Sequence, residues 1–408
     1  MIHKISAKIL ASVLFLTVCL AADAQTRQAV VVDSLSRRPL PRATVFDRGG
    51  KAIGITSDKG ILPTIPAYAY PVTVRYLGYH PHVISSPAAG EIAMRENASR
   101  LAEIVVRPGK REMLHLLAYV REYSTFSSYG DTVRLFREKN VDFMIPVGKK
   151  TRYKGWASPR LLRSKSYYRF TDSAGLDSVS DYFYGNFSWT DWIGIVAREK
   201  IPVALAAKEA GTDTVMGRVS PAAVWRKKGE SIRLDIDILS DSTCGKWVPS
   251  IPWTLLGNLG FNRLEVGYLF DEVYSGQVSA DNLSAMSAYI ESTWRGAALN
   301  RFFHNAGTVY VETHAEMFFI DKEYISVKEA RRWEKKKEEL EADEGEILTS
   351  DDIPLPDAAT LALMDRVENI DHTATRLKII PDQRLVGRKD LFKPKKRGFL
   401  KSLKSLIM

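Results

Sequence analysis

The chain has 408 residues, 45% hydrophobic and 26% charged, which excludes a disordered or low-complexity polypeptide and supports two or three folded domains. Its formal net charge of +10 would suit nucleic acid or an anionic surface, but the basic excess gathers between Arg384 and Lys404 and the body is near neutral. Beyond the N-terminus no apolar run approaches the roughly 20 residues a spanning helix needs.

The N-terminus reads as a cleavable secretory signal over residues 1–24. Lys4 and Lys8 precede the apolar run Ile9 to Leu20, and the small residues Ala22 and Ala24 follow it. Cleavage after Ala24 leaves Gln25 first. Cys19 is a poor lipidation site, because bulky Val18 precedes it and apolar residues continue after it. Cys244 is then the one mature cysteine, too few for a disulfide within the chain, and inert burial is its expected state. Export also disfavours a nucleic-acid partner.

Residues 25–108 read as short strands joined by turns. "ATVFD" and "AIGITS" flank Arg48-Gly49-Gly50-Lys51, where glycine supplies positive φ for a tight hairpin. "SDKG" at 57–60 is a second turn. "VTVRYL" alternates, with Val72, Val74 and Tyr76 on one side, and "GYHP" ends it. This order, with "VVVDSLSRRPLPRATVFDRGGKAIGITSDKG" before and "LAEIVVRP" after, resembles the carboxypeptidase-regulatory-like domain. The resemblance implies an all-β, transthyretin-like sandwich, of a kind common at the N-termini of secreted and outer-membrane proteins of Gram-negative bacteria. It implies a binding or docking module, in the periplasm or at the outer membrane. The chain departs from outer-membrane nutrient receptors of that kind after Arg107, where too little sequence follows for a plug and a long barrel.

Residues 109–325 read as an α+β region dominated by an antiparallel sheet. "VDFMIP", "SYYRFTD", "IRLDIDIL", "LEVGYLFDEVY" and "TVYVETHAEMFFI" alternate and are rich in aromatic and β-branched residues. "EMLHLLAYVREYS" (112–124) reads as a helix or a helix–strand transition, with Met113, Leu116, Leu117 and Val120 at helical spacing, and "SADNLSAMSAYIESTW" (279–294) also reads as helical. An outer-membrane barrel is not expected, because the strands are irregularly spaced and the chain finishes in charged helical segments.

No catalytic signature stands out. None of the seven His has Glu three residues later, and H-E-x-x-H, G-x-S-x-G and P-loop patterns are absent. Three constellations remain. His80 and His82 offer two nitrogens without a nearby third ligand, so a turn is the expected role. Glu312, His314 and Glu316 share one face of a strand and are a candidate metal or acid–base set, against a solvated polar face opposite Val309, Val311 and Phe319. "YFYGNFSWTDWIG" interleaves Tyr182, Tyr184, Trp189 and Trp192 with Asn and Asp, a candidate sugar-stacking surface, against ordinary packing. No cofactor is expected.

Residues 326–408 read as charged helices and a basic tail. Ser326 and Glu329 form a capping-box pattern, and Leu361, Met364 and Val367 suggest the apolar face of a helix over 357–370. "FKPKKRGFLKSLKSLIM" is basic and amphipathic, suited to an anionic membrane surface. Together these readings favour an exported, non-enzymatic envelope protein meeting an envelope protein or glycan. The alternative is a glycan-processing or other hydrolase in residues 109–325.

Overall fold

The structure is a computed structural model and describes residues 29–97, 104–106, 111–148, 151–171, 177–180, 188–218, 220–240, 259–295, 307–342 and 346–369. The signal-like segment, both cysteines and the basic tail lie outside the described residues. The chain divides into two compact units: residues up to Asp47 with Ile53–Glu96, and Arg48–Ala52 with Asn97 onward. Both are rich in strands, with a large antiparallel sheet in the second and few helices.

The first unit carries β1 (Val30–Asp33), β2 (Thr44–Phe46), β3 (Ala52–Ile55), β4 (Val72–Arg75), β5 (His82–Ile84) and β6 (Glu91–Met94). β1 and β6 pair in parallel, and β3, β2, β4 and β5 form a four-stranded sheet in that order. Val31 and Met94 from the pair share one apolar cluster with Val45, Val72, Val74 and Ile84 from the sheet. Val72 and Val74 enter it as the period of two predicts, and Tyr76 follows them in. In "SDKG", Gly60 has φ +72°, and a Cβ there would lie 2.6 Å from the Val31 carbonyl oxygen, so both backbone and space demand glycine. His80 is exposed, and His82 is half-buried at the start of β5.

The second unit begins with β7 (Ile104–Val106), β8 (Met113–Ser128), β9 (Asp131–Pro146), β10 (Trp156–Thr171) and β11 (Asp177–Ser180). After β12 (Arg198–Lys200) and the single-turn helix α1 (Val203–Ala206) come β13 (Ala210–Met216), β14 (Pro221–Lys228), β15 (Ser231–Asp237) and β16 (Leu259–Phe270). Then follow β17 (Gln277–Ser279), β18 (Leu283–Trp294), β19 (Val309–Ile325), α2 (Val327–Ala342) and α3 (Ala358–Glu368). The large sheet runs β11-β10-β9-β8-β19-β18-β16-β15-β14-β13, with β7 alongside β19 in parallel. The meander therefore brings its first long strand, β8, beside its last, β19, from Tyr310 opposite Ser127 to Ile325 opposite Met113.

Two segments expected to be helical are strands. "EMLHLLAYVREYS" lies in β8 and "SADNLSAMSAYIESTW" is largely β18. β8 is buried on both faces for most of its length, so apolar residues fall at both parities and the alternation that marks a half-exposed strand is erased. One parity faces an apolar core: Leu114, Leu116, Ala118 and Val120 of β8, Val133, Leu135, Val141 and Phe143 of β9, Tyr268 of β16 and Ile290 of β18. Trp189, Ile193, Ile195, Ile201 and Leu205, from the stretch before β13, join the same core.

The opposite parity of β8–β10 is polar and is covered by the chain after β19. Asn140 clamps Leu348 through both backbone groups, at 2.7 and 2.8 Å. Arg163 donates to the Glu346 carbonyl at 2.8 Å, and Arg121 to that of Pro354. Lys165 and Tyr167 both donate to Glu368, each at 2.6 Å. α2 starts on the predicted capping box: Glu329 accepts from the Ser326 amide at 2.9 Å, and the Glu329 amide donates to Ser326 Oγ at 3.3 Å. α3 is capped by Asp357 but buries Thr360, Leu363 and Val367. Leu361 is exposed instead, which corrects the expected face.

Lys322, near the end of β19, is 1% exposed and donates to the Asp281 carbonyl at 2.8 Å. Burial pushes its ammonium down to about 8, against partial support from Asp281. The unfolded chain holds that proton to a higher pH, so stability rises as pH climbs from about 8 toward 10.5, and below 8 the full penalty applies. That penalty is about 3 kcal/mol. Lys322→Met is expected to be more stable than the parent at pH 7 and to flatten the rise between pH 8 and 9.5 in urea unfolding. Parallel pH profiles for the two proteins would contradict it.

Candidate functional site

The apolar parity of the sheet is interrupted at one place. In β9 the core-facing positions read Val133, Leu135, Arg137, Lys139, Val141, Phe143, and in β8 they read Val120, Glu122, Ser124, Phe126. Register sets Glu122 opposite Arg137, Arg137 opposite Ser166, and Thr313 of β19 opposite Ser124. Into this polar break comes the turn Trp189–Trp192, preceded by Ser188.

Lys139 Nζ donates to Ser188 Oγ at 2.8 Å and to Asp191 Oδ1 at 2.6 Å, and Glu122 Oε2 lies 3.8 Å away. Glu122 accepts from the hydroxyls of Ser188, Thr190 (3.1 Å) and Ser124 (3.3 Å). Thr313 and Ser124 share a further bond of 2.8 Å. Arg137 Nε donates to Ser166 Oγ at 3.1 Å. Lys139, Glu122, Ser188 and Thr190 are all buried, and only Asp191 reaches solvent, its side chain 38% exposed.

This is the set of groups a Ser–Lys or Ser–carboxylate nucleophile is made from. Its bonding is that of a clamp. The Glu122 carboxylate is occupied by three hydroxyls, Lys139 is shared between a hydroxyl and a carboxylate, and Ser188 is held from both sides. Buried polar groups satisfied in this way fix one conformation, here the seating of the 188–192 turn on the sheet.

A second cluster lies at the other parity. Asp142, fully buried, accepts from His115 Nε2 at 3.0 Å, from Trp156 Nε1 at 3.1 Å and from both ends of the Arg160 guanidinium. Burial alone would raise its carboxyl, but the bonds from His115 and Arg160 and the guanidinium charge outweigh that and hold it below the usual carboxylate value. His115 packs at a tilt against Trp333 of α2 with ring centroids 4.6 Å apart, and Arg160 donates to the Trp333 carbonyl at 3.0 Å.

The expected site residues fall elsewhere. Glu312, His314 and Glu316 do share one face of β19, yet that face is not solvated: His314 and Glu316 are buried and Glu312 half-buried. Each carboxylate has its own partner. Glu316 accepts from Arg121 Nη2 at 2.9 Å and Glu312 from the Tyr289 hydroxyl at 2.6 Å. His314 Nε2 is 3.8 Å from Glu316 Oε1, and no group of three metal-capable side chains occurs among the described residues. Trp189 is 3% exposed and meets Phe261 edge-on at 5.0 Å, so its ring belongs to the core and not to a sugar-stacking surface. Tyr182, Tyr184 and the side chain of Trp192 lie outside what is described, as does Cys244.

Motif reading missed Glu122, Lys139 and Ser188, which lie apart in sequence with no motif spacing to mark them. The available signal was the charge at apolar-parity positions 122, 137 and 139. No family model matches the chain, and no curated protein matches it. Among solved structures it is similar to one of lipovitellin, described by its lipid–protein interactions, with TM-score 0.24 and 8% identity, over 54% of this chain and 26% of that one. The chain thus spans about a quarter of that protein's length, and so distant a likeness carries no argument. No helix among the described residues is long and apolar enough to cross a membrane.

Proposed function

We propose that the chain is an exported envelope protein of the periplasm or outer membrane that acts by binding rather than by catalysis. The signal-like N-terminus supports export. The two small sheets of residues 30–94, packed on one apolar cluster, are compatible with a transthyretin-like sandwich of the carboxypeptidase-regulatory kind, serving as a docking module. The observation that carries the non-enzymatic reading is the mutual saturation of the groups capable of chemistry. Glu122, Lys139 and Ser188 bind one another, Asp142 is spent on His115 and Arg160, and Glu316 on Arg121.

Crosslinking in intact cells followed by mass spectrometry is expected to recover an envelope protein or glycan attached to the chain. Recovery of none would count heavily against the reading. The alternative, a hydrolase of unrecognised type, rests on Ser188 lying between an amine and a carboxylate. A serine-directed fluorophosphonate applied to the purified full chain separates the two. Covalent labelling at Ser188 supports the hydrolase, and an unlabelled chain supports binding.

A further inference from the structure

We propose that one exposed face of α2 is a docking surface for an anionic, phosphate-bearing lipid bilayer. Lys328, Arg331, Arg332 and Lys335 stand at i, i+3, i+4 and i+7, so they share a single stripe about 10 Å long. All four are exposed, and they form one open surface of the helix. The helix cannot roll to hide them. Its opposite face packs Ala330 into a small apolar cluster with Met113, Met144 and Ile325, and Val327 and Trp333 lie against it.

Two carboxylates of the helix, Glu329 and Glu334, are engaged by hydroxyl donors. Glu329 closes the cap with Ser326, and Glu334 accepts from the Tyr153 hydroxyl at 2.8 Å. None of the four cations takes part in an ion pair among the described residues; Arg331 alone has a ring contact, 5.8 Å from the centre of Tyr153. The stripe is therefore a row of four exposed cations on a fixed support.

The occupant follows from what the stripe lacks. A protein partner is normally held by aromatic or apolar anchors in desolvated pockets, and the stripe offers cations alone. One free phosphate would meet only part of it, in water, where single exposed pairs contribute little. A surface dense in phosphates meets all four at once, and guanidinium groups suit phosphate geometry. The basic tail beyond Arg384 is a separate element, and the test varies it independently.

The test is sedimentation of the full chain with vesicles of phosphatidylcholine alone or with added phosphatidylglycerol, at low and high salt. The comparison is among the parent, the variant K328A/R331A/R332A/K335A, the charge-retaining K328R/R331K/R332K/K335R, and a tail variant K395A/K396A/R397A, each checked for folding by circular dichroism. Binding only to the anionic vesicles is expected, weakened by salt, retained in the charge-retaining form, and reduced at least about tenfold by the alanine substitutions in both the parent and the tail-variant background. Millimolar inorganic phosphate is expected to leave it intact. Three results would each overturn the proposal: parent-like binding by the alanine variant, equal binding to neutral vesicles, or displacement by free phosphate or by an acidic polypeptide at matched charge.

Discussion

Replacing Asp142 by Ala is expected to cost about 3–5 kcal/mol in equilibrium urea unfolding. The carboxylate has no exposed surface, and Arg160 beside it is only 10% exposed, so the substitution strands a guanidinium with little water to turn to. It also removes the acceptor for His115 and leaves the Trp156 indole only the backbone carbonyl of residue 142, at 3.2 Å. Four elements converge on that oxygen pair: β8 through His115, β9 itself, β10 through Trp156 and Arg160, and α2 through the Trp333 contacts. Loss of Asp142 should therefore loosen α2 as well as weaken the sheet, and hydrogen exchange should rise first in residues 327–333. The pH dependence has a fixed sign. The folded carboxyl sits below its ordinary value, so its contribution is present above about pH 4 and fades as pH falls through the folded value. Asp142→Ala should blunt that acid-side loss. A cost under about 1 kcal/mol would mean the cluster is far wetter than its burial implies.

Replacing Lys139 by Met is expected to cost a similar amount, about 3–5 kcal/mol, because Glu122 would stay buried with its cation gone. The second substitution makes this diagnostic. Glu122→Gln on top of Lys139→Met removes the stranded charge while keeping an oxygen for the hydroxyls of Ser188, Thr190 and Ser124, so much of the loss should return. Additive losses in the double variant would show that the two groups do not act together. Ser188→Ala should cost about 1–3 kcal/mol as a lost buried bond.

The strand-rich character of the second unit was legible in its sequence where one face of a strand meets solvent or a polar layer, as in "IRLDIDIL". It was illegible in β8, where the apolar core covers one parity and the chain from Glu346 onward covers the other. Polar residues such as Arg121 and Glu122 are buried there because their partners arrive from distant sequence. β18 is paired on both sides, by β16 and β19, and its small residues, Ser284, Ala285, Ser287 and Ala288, carry little of the β-branched signature of a strand. The capping box at Ser326 was readable because its partners are three residues apart. The clamp at Ser188 was not, since its members meet only after β8, β9 and the 188–192 turn are assembled. Glu312, His314 and Glu316 were placed correctly on one face, but their environment depended on Arg121 and Tyr289, which no local pattern announces.

The pairing of β8 with β19 has a temporal consequence. Arg121 and Glu316, bonded across that seam, are separated by 195 residues. β8 and β9 can pair as soon as they emerge, well before β19 is available to close the other side. During that interval one long side of β8 is an open template, the kind of edge that recruits other chains. Its polar residues, Arg121 and Glu122 among them, would then guard the nascent strand against mispairing before they serve the finished sheet.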